Sequence, residues 1–469
     1  MNSPPITELH YSGAPDVDSP PGPKSRQLVA RQQEIESRAV LYPHDIPVAF
    51  ESGKGATIKD VDGNIYLDLF SGIGVLNVGH ANPYVTDAAI EQAKRLPHSL
   101  DFPTEPRLEL IEKLDEIAPP GLNGHNRINF GGPTGSDAIE SSIKLAKYMT
   151  GNNGMIAFRG SFHGETSGAF SLTSDTKYKR HYTPLLPEVE HVEYPYPFRQ
   201  HGDTADLVEQ SLESVKTLLG DRYGGMPNPA GIWVEPIQGE GGTVVPPDGF
   251  LPGLRDLCDE YQVPLIVDEV QTGLGRTGEW WGVNHYDVTP DIMPMGKALG
   301  SGFPLSGTMY SRALGKWEPG GHTGTFRGFN PAMRAAVRAI EYIQDHELLD
   351  HASSLGELIQ EHFRELATAN THIGDVRGKG LFIGIELVKS DGSPAPDLLN
   401  RIRTTCFNNG VLIWAGGRDD NVIRLLPPLV ITPNQVQRAI QIIHDAIESE
   451  FQNLLSSGRE LDRSLQSKR

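Results

Sequence analysis

The chain has 469 residues, a formal net charge of −19 and 38% hydrophobic residues, which is enough for two packed domains of ordinary globular composition. So acidic a chain, with its charges spread rather than clustered, is a poor partner for nucleic acid or an anionic membrane. Its two cysteines, Cys258 and Cys406, form neither a disulfide framework nor a metal-ligand spacing, so no metal and a reduced, cytoplasmic setting are expected.

Residues 1–24 are rich in Pro, Ser and Gly and have neither a basic start nor an apolar run, so a flexible arm is expected there. The run Ala56–Val61, the turn Asp62-Gly63-Asn64 and the run Ile65–Leu69 read as a hairpin. Beyond Gly79, helical patterns alternate with short apolar strands. Gly231–Glu235 and Pro264–Asp268 are two such strands, with helical spacing from Leu251 to Tyr261 between them. That helical pattern places Cys258 among Leu254, Leu257 and Tyr261, as a buried structural thiol. Strand, helix, strand in this rhythm implies right-handed crossovers and a mostly parallel central sheet with flanking helices.

The character changes near Gly328. A helix-rich stretch from Pro331 to about Asn370 precedes the apolar segment Arg377–Leu387. The last helix is expected to take Thr432 as N-cap and Pro433 as its first residue, with Val436, Ile440, Ile443, Ile447 and Phe451 on one face. The expected organisation is α/β, with a large domain over 80–328 and a smaller α+β domain over 329–455 joined by the segment 25–79. A flexible tail is expected over 456–469.

Three segments carry chemistry. Leu265-Ile266-Val267-Asp268 is an apolar strand ending in an acid, and Met295-Gly296-Lys297-Ala298-Leu299-Gly300 sets a lysine among small residues. Ligands of open α/β sheets bind beyond the carboxyl ends of the strands, where Asp268 belongs. A carboxylate there can pair with a protonated pyridine nitrogen, and a buried lysine of depressed pKa can attack a carbonyl. Pyridoxal 5'-phosphate needs both. A helix cap for Asp268 and a solvated loop for Lys297 are the competing readings, and the two residues together favour the cofactor. Gly131-Gly132-Pro133-Thr134-Gly135-Ser136-Asp137-Ala138 leads into a helical pattern through Ile139, Ile143, Ala146 and Met149, a place where backbone amides can converge on a phosphate. Asp137 and Glu140 stand at capping-box spacing, and a plain turn fits equally. Phe162-His163-Gly164 follows the apolar run Met155–Phe158; its ring can stack on a cofactor or simply fill the core.

With these residues the chain resembles the class III aminotransferases, of the ornithine, 4-aminobutyrate and diaminobutyrate type, of pyridoxal-phosphate fold type I. The resemblance runs from about Pro21 to Leu454 and rests on FHG (162–164), EPIQGEGG (235–242), LIVDEVQTGLGRTG (265–278), GKALGSGFPLSG (296–307), TFRG (325–328), VRGKGLFIGIEL (376–387) and NVIRLLPPL (421–429). It implies a pyridoxal-phosphate aminotransferase working by ping-pong on an amino acid and a 2-oxo acid. Lys297 would be the Schiff-base lysine and proton carrier. Asp268 would hold the pyridine nitrogen, Gln271 the ring hydroxyl, and Gly135 and Ser136 the phosphate. Phe162, with His163 beside it, would cover the ring. Thr325 would reach the phosphate of a neighbouring subunit in a homodimer with shared active sites. Arg424 would receive a substrate carboxylate, with Glu240 pairing to it as a switch.

One position departs from the family pattern. Glu165 stands where relatives using 4-aminobutyrate or ornithine commonly carry a carboxylate-binding arginine, which sets 2-oxoglutarate recognition by that residue in doubt and favours a distal amine. The segment Lys316–Gly328 resembles diaminobutyrate aminotransferases, so the diamino and ω-amino acids 2,4-diaminobutyrate, ornithine and 4-aminobutyrate are the expected donors. An amino-acid racemase or epimerase of the same fold is the alternative. The early PPGPKSRQLVAR and late NVIRLLPPLVIT segments resemble such enzymes, which tend to carry Asp where this chain has Glu240. A protein that only binds the cofactor fits poorly with Lys297, Asp268, Gln271 and Arg424 occurring together.

Overall fold

The computed structural model describes residues 3–226 and 228–466, with side chains to residue 453. At its centre is a seven-stranded sheet in the order Asn126–Gly132, Ser306–Ser311, Ile292–Met295, Leu265–Val267, Pro229–Val234, Gly154–Phe158, Val189–Val192. Every neighbouring pair is parallel except the two made by Ser306–Ser311. Leu265, Ile266 and Val267 are fully buried, as a strand covered on both faces must be. The helices Gly135–Thr150 and Phe250–Tyr261 flank this sheet. Trp233 on the sheet donates its indole N–H to Ser142 on the first helix at 2.9 Å, which fixes that helix over the strands. Cys258 and Cys406 are buried, unpaired thiols.

The expected hairpin is present as Thr57–Asp60 against Ile65–Asp68. The Asp60 carboxylate closes it, accepting from the amides of Asp62 and Asn64 at 2.9 Å and from the Tyr66 hydroxyl at 2.8 Å. This sheet continues through a parallel pairing with Val411–Leu412, so both ends of the chain meet in one layer. A second four-stranded sheet holds Ile373–Lys379, Phe382–Leu387, Val422–Leu425 and Trp414–Gly416. The helices Asn330–Asp345 and Leu348–Ala369 precede it.

Residues 3–22 differ from the expected mobile arm. Leu9 is buried, Asp16 exchanges backbone bonds of 2.8 and 2.7 Å with Ile65, and Asp18 donates its amide to Asn64 at 2.6 Å. A Pro-rich segment with one apolar anchor and a free strand edge to pair with has a place to dock. The final helix spans Pro433–Gln466, so its backbone continues through most of the expected tail, and residues 467–469 lie outside the described residues. Its start is as expected: Thr432 and Gln435 exchange a reciprocal cap, with the Thr432 amide donating to Gln435 at 2.9 Å and the Gln435 amide to Thr432 at 3.3 Å. Among the described residues no helix is long and apolar enough to cross a membrane.

Candidate active site

Five parallel strands deliver their carboxyl ends to one cavity. Thr134, Gly135 and Ser136 follow Asn126–Gly132, and Phe162, His163 and Gly164 follow Gly154–Phe158. Glu235 and Glu240 follow Pro229–Val234, Asp268 to Thr272 follow Leu265–Val267, and Lys297 follows Ile292–Met295. This is where an open α/β sheet binds its ligand. The sequence brings a lysine, a strand-end carboxylate and a helix N-terminus together here.

Asp268 is anchored by its own backbone. Its Oδ1 accepts from the Val270 amide at 3.0 Å, and its Oδ2 lies 2.7 Å from Nδ1 of the buried His163. Lys297 is partly buried and holds φ at +45°, the left-handed region, in a one-turn 3₁₀ segment over Lys297–Gly300. A non-glycine residue in that region is uncommon and is held there by its surroundings. Burial depresses the Lys297 pKa; Glu240 pulls it back up, and Arg424 pushes it down again.

Arg424, on the strand Val422–Leu425 of the C-terminal sheet, is wholly buried and meets the cavity through two of its lining residues. Its Nη1 donates to Glu240 and its Nη2 to Gln271, each at 2.6 Å. Burial pushes the Glu240 carboxyl up, but the charges of Arg424 and Lys297 outweigh it and leave the pKa below the ordinary carboxylate value. The Gln271 carbonyl is used by Arg424 while its buried Nε2 has no acceptor among the described residues. An orphan donor aimed into a cavity asks for a ligand oxygen.

At the helix N-terminus, the expected capping pair is shifted by one turn. Asp137 accepts from the amide and hydroxyl of Thr134 at 2.9 and 2.7 Å. Glu140 instead accepts from the Thr166 hydroxyl at 2.6 Å and the Gly168 amide at 2.8 Å, which ties the helix to the next segment. The first amides of the helix, at Gly135 and Ser136, have no acceptor within it and face an anion-binding position. A Cβ on Gly135 would sit 2.5 Å from Val270, so only glycine lets the helix approach the floor of the cavity so closely.

Three expected residues lie outside the cavity lining: Arg424, which stands behind Glu240 and Gln271, and Glu165 and Thr325. Glu165 is exposed, and its amide donates to the Ser136 hydroxyl at 3.2 Å. Its charge and that of Glu240 act on one group: the Tyr42 hydroxyl is pushed up by burial, then by Glu240 and by Glu165. Thr325 is exposed, and its carbonyl lies 2.7 Å from His98. Sequence reasoning gave no role to Glu235, a buried carboxylate lining the cavity, or to Arg276. Arg276 is fully buried and donates to the carbonyls of Leu381 (3.0 Å) and Pro427 and to Asn77, binding the loop after Gln271 to the C-terminal sheet and the N-terminal segment. Its only signal was its place in the motif at 265–278.

The arrangement fits a flat aromatic cofactor bearing a phosphate, an aldehyde and a pyridine nitrogen. Lys297 supplies an amine, Asp268 an anion, Gln271 an unused donor, Phe162 a ring and the helix start a phosphate seat. Comparison with known proteins agrees. Residues 41–447 match the family model "Aminotransferase class-III". A diaminobutyrate–2-oxoglutarate aminotransferase of Rhizobium meliloti (strain 1021) is 35% identical over 460 residues, covering 95% of this chain and 96% of that protein. An alanine/serine racemase of Pyrococcus horikoshii is 36% identical over 442 residues, 92% of each. The solved ornithine aminotransferase of Toxoplasma gondii ME49 superposes with a TM-score of 0.78 at 30% identity, covering 91% of this chain and 95% of that one. The chain therefore has pyridoxal-phosphate fold type I and belongs to the class III aminotransferases, enzymes that depend on pyridoxal 5'-phosphate.

Proposed function

We propose that this aminotransferase takes its amino group from a diamino or ω-amino acid, of which 2,4-diaminobutyrate, ornithine and 4-aminobutyrate are the candidates, and passes it to a 2-oxo acid in two half-reactions. The observation that carries this reading is the buried Arg424 held between Glu240 and Gln271. A guanidinium there recognises a substrate carboxylate in a two-point geometry, and Glu240 engages it when no carboxylate is present. Glu240 in the lining and the exposed Glu165, whose charges both act on Tyr42, suit a distal ammonium group. The similarity to the Rhizobium diaminobutyrate–2-oxoglutarate aminotransferase points the same way.

Bound in the cavity, pyridoxal phosphate supplies a carbonyl that takes up the amine and a conjugated ring that accepts electrons from the substrate's Cα. Gly135 and Ser136 would hold its phosphate, Asp268 its pyridine nitrogen, Gln271 Nε2 its ring oxygen and Phe162 its face. His163 fixes Asp268 from behind at 2.7 Å. Lys297 Nζ, made less basic by burial, would hold the cofactor's carbonyl carbon and carry the proton at the substrate's Cα.

Racemisation is the second reading, and the Pyrococcus alanine/serine racemase favours it. A racemase needs a proton donor on each face of Cα. Glu240 is engaged by Arg424 with its pKa held low, which keeps it deprotonated, with no proton to give to the second face of Cα, and favours transfer. The test is to mix the loaded enzyme with single L-amino acids in deuterated water without a 2-oxo acid. Conversion of the cofactor to its amine form with one equivalent of 2-oxo acid supports transfer. Catalytic build-up of the D-enantiomer without 2-oxo acid would replace it with racemisation.

The reading includes a cytoplasmic setting and a homodimer with shared active sites. Thr325 and its neighbour Phe326, 65% exposed, form the surface we assign to the second subunit. Sedimentation across a dilution series should show activity lost as dimer dissociates, and a fully active monomer would overturn it.

A further inference from the structure

Glu235 has no task in the reaction as described. It follows the strand Pro229–Val234, is buried and lines the cavity. Its two oxygens are divided between two loops: Oε1 accepts from the Phe162 amide at 3.0 Å, and Oε2 from the Gly239 amide at 2.8 Å. Among the described residues no cation forms an ion pair with it. The charged or titratable groups around it are His163, Asp268, Lys297 and Tyr194, whose hydroxyl donates to the Glu235 carbonyl at 3.2 Å. An unpaired buried carboxylate is costly unless its hydrogen bonds require it.

The two amides belong to two segments that line the cavity. One carries Phe162 and His163. The other is the turn with Glu240, which is also held by Gly417, donating to the Glu240 carbonyl at 2.9 Å, and by Arg377, donating to Gly242 at 2.6 Å. Glu235 joins these two segments directly.

We propose that Glu235 is a positioning residue that locks the Phe162 loop to the Glu240 turn, so that one carboxylate sets both the height of the aromatic ring and the reach of Glu240 to Arg424. Ionised, it offers both amides an acceptor. Burial lifts its carboxyl to about 7, with His163 opposing and Asp268 adding to the rise, so the fold keeps an acid here against a large penalty.

The test uses the loaded enzyme and the variants Glu235→Gln and Glu235→Ala. Glutamine keeps one acceptor and turns an N–H towards the other amide. Hydrogen exchange at the amides of Phe162 and Gly239 should then accelerate at one of the two by ~10-fold or more in Glu235→Gln, and at both in Glu235→Ala. The visible circular dichroism of the bound cofactor should change, and kcat should fall about tenfold or more in Glu235→Gln, with KM much less affected. Should Glu235→Ala fail to fold, Glu235→Asp replaces it, because the shorter chain reaches only one amide. Wild-type exchange at both amides in Glu235→Gln would overturn the proposal, as would faster exchange with unchanged dichroism and kcat. The exchange measurement needs no substrate, so it stands or falls separately from the choice of amino donor.

Discussion

Arg424 gives the sharpest quantitative expectation. Its side chain has no exposure, it donates to Glu240 and Gln271, it lies over the Phe382 ring, and its Nε has no hydrogen-bond partner among the described residues. If it receives the substrate carboxylate, Arg424→Met removes two charge-assisted hydrogen bonds. These are together worth about 3–4 kcal/mol, or roughly 10²- to 10³-fold in kcat/KM. An amine substrate without a carboxylate should lose no more than about threefold. Glu240→Gln should act in the opposite direction. The Glu240 side chain keeps 32% exposure, so the ion pair is discounted to about 1 kcal/mol and its removal should lower the KM of the carboxylate substrate roughly fivefold. In Arg424→Met the further change Glu240→Gln should have no such benefit, because the competitor no longer has a partner to occupy. Steady-state kinetics on the two single variants and the double variant check all three statements. An Arg424→Met enzyme within threefold of wild type on an amino acid, or a Glu240→Gln enzyme with a raised KM, would refute the assignment.

Three further expectations are independent of that cycle. Lys297→Ala should lose turnover and the long-wavelength absorbance of the lysine-bound cofactor, and wild-type levels of either would remove Lys297 from the chemistry. Gly239→Ala places a Cβ 1.9 Å from the Gln271 carbonyl oxygen, so Gln271 must let go of Arg424; about a tenfold loss in kcat/KM with Tm within a few degrees of wild type is expected, measured by kinetics and thermal melting. The third concerns pH. The folded Lys297 pKa lies below its ordinary 10.5, so the neutral amine, and with it the rate of cofactor uptake by apoenzyme, should rise with pH through a midpoint below that value. Glu240 raises this pKa and Arg424 lowers it, so Glu240→Gln should move the midpoint down and Arg424→Met up. A stopped-flow uptake profile in which either moved the other way would contradict the electrostatics.

What was legible in the sequence follows from how local its cause is. The hairpin at Asp62-Gly63-Asn64, the cap at Thr432-Pro433 and the glycine turn before Ser136 are written within a few residues and recur in the structure. That Asp268 and Lys297 stand just past strand ends was legible because an apolar run that gives way to polar or small residues says where a strand stops. The capping pair was misplaced by one turn because Thr134, Asp137 and Glu140 are spaced alike, and only contact with Thr166 and Gly168 decides which acid caps the helix. The docking of residues 3–22 depends on a free strand edge at Ile65, which composition does not encode.

Glu235 marks the limit of such reading. It carries the same local signal as Asp268, an acid ending an apolar strand, and the two strands are neighbours in the sheet. Two carboxylates side by side at strand ends repel one another, so each must be satisfied differently. Asp268 takes the His163 ring and the Val270 amide, while Glu235 takes the Phe162 and Gly239 amides. His163 and Phe162 are consecutive residues, so a single loop serves both acids, its side chain answering one and its backbone the other. By that division Asp268 is held by one side chain and one amide, while Glu235 ties two backbone segments together. It depends on strand order, which the chain fixes only after it has folded.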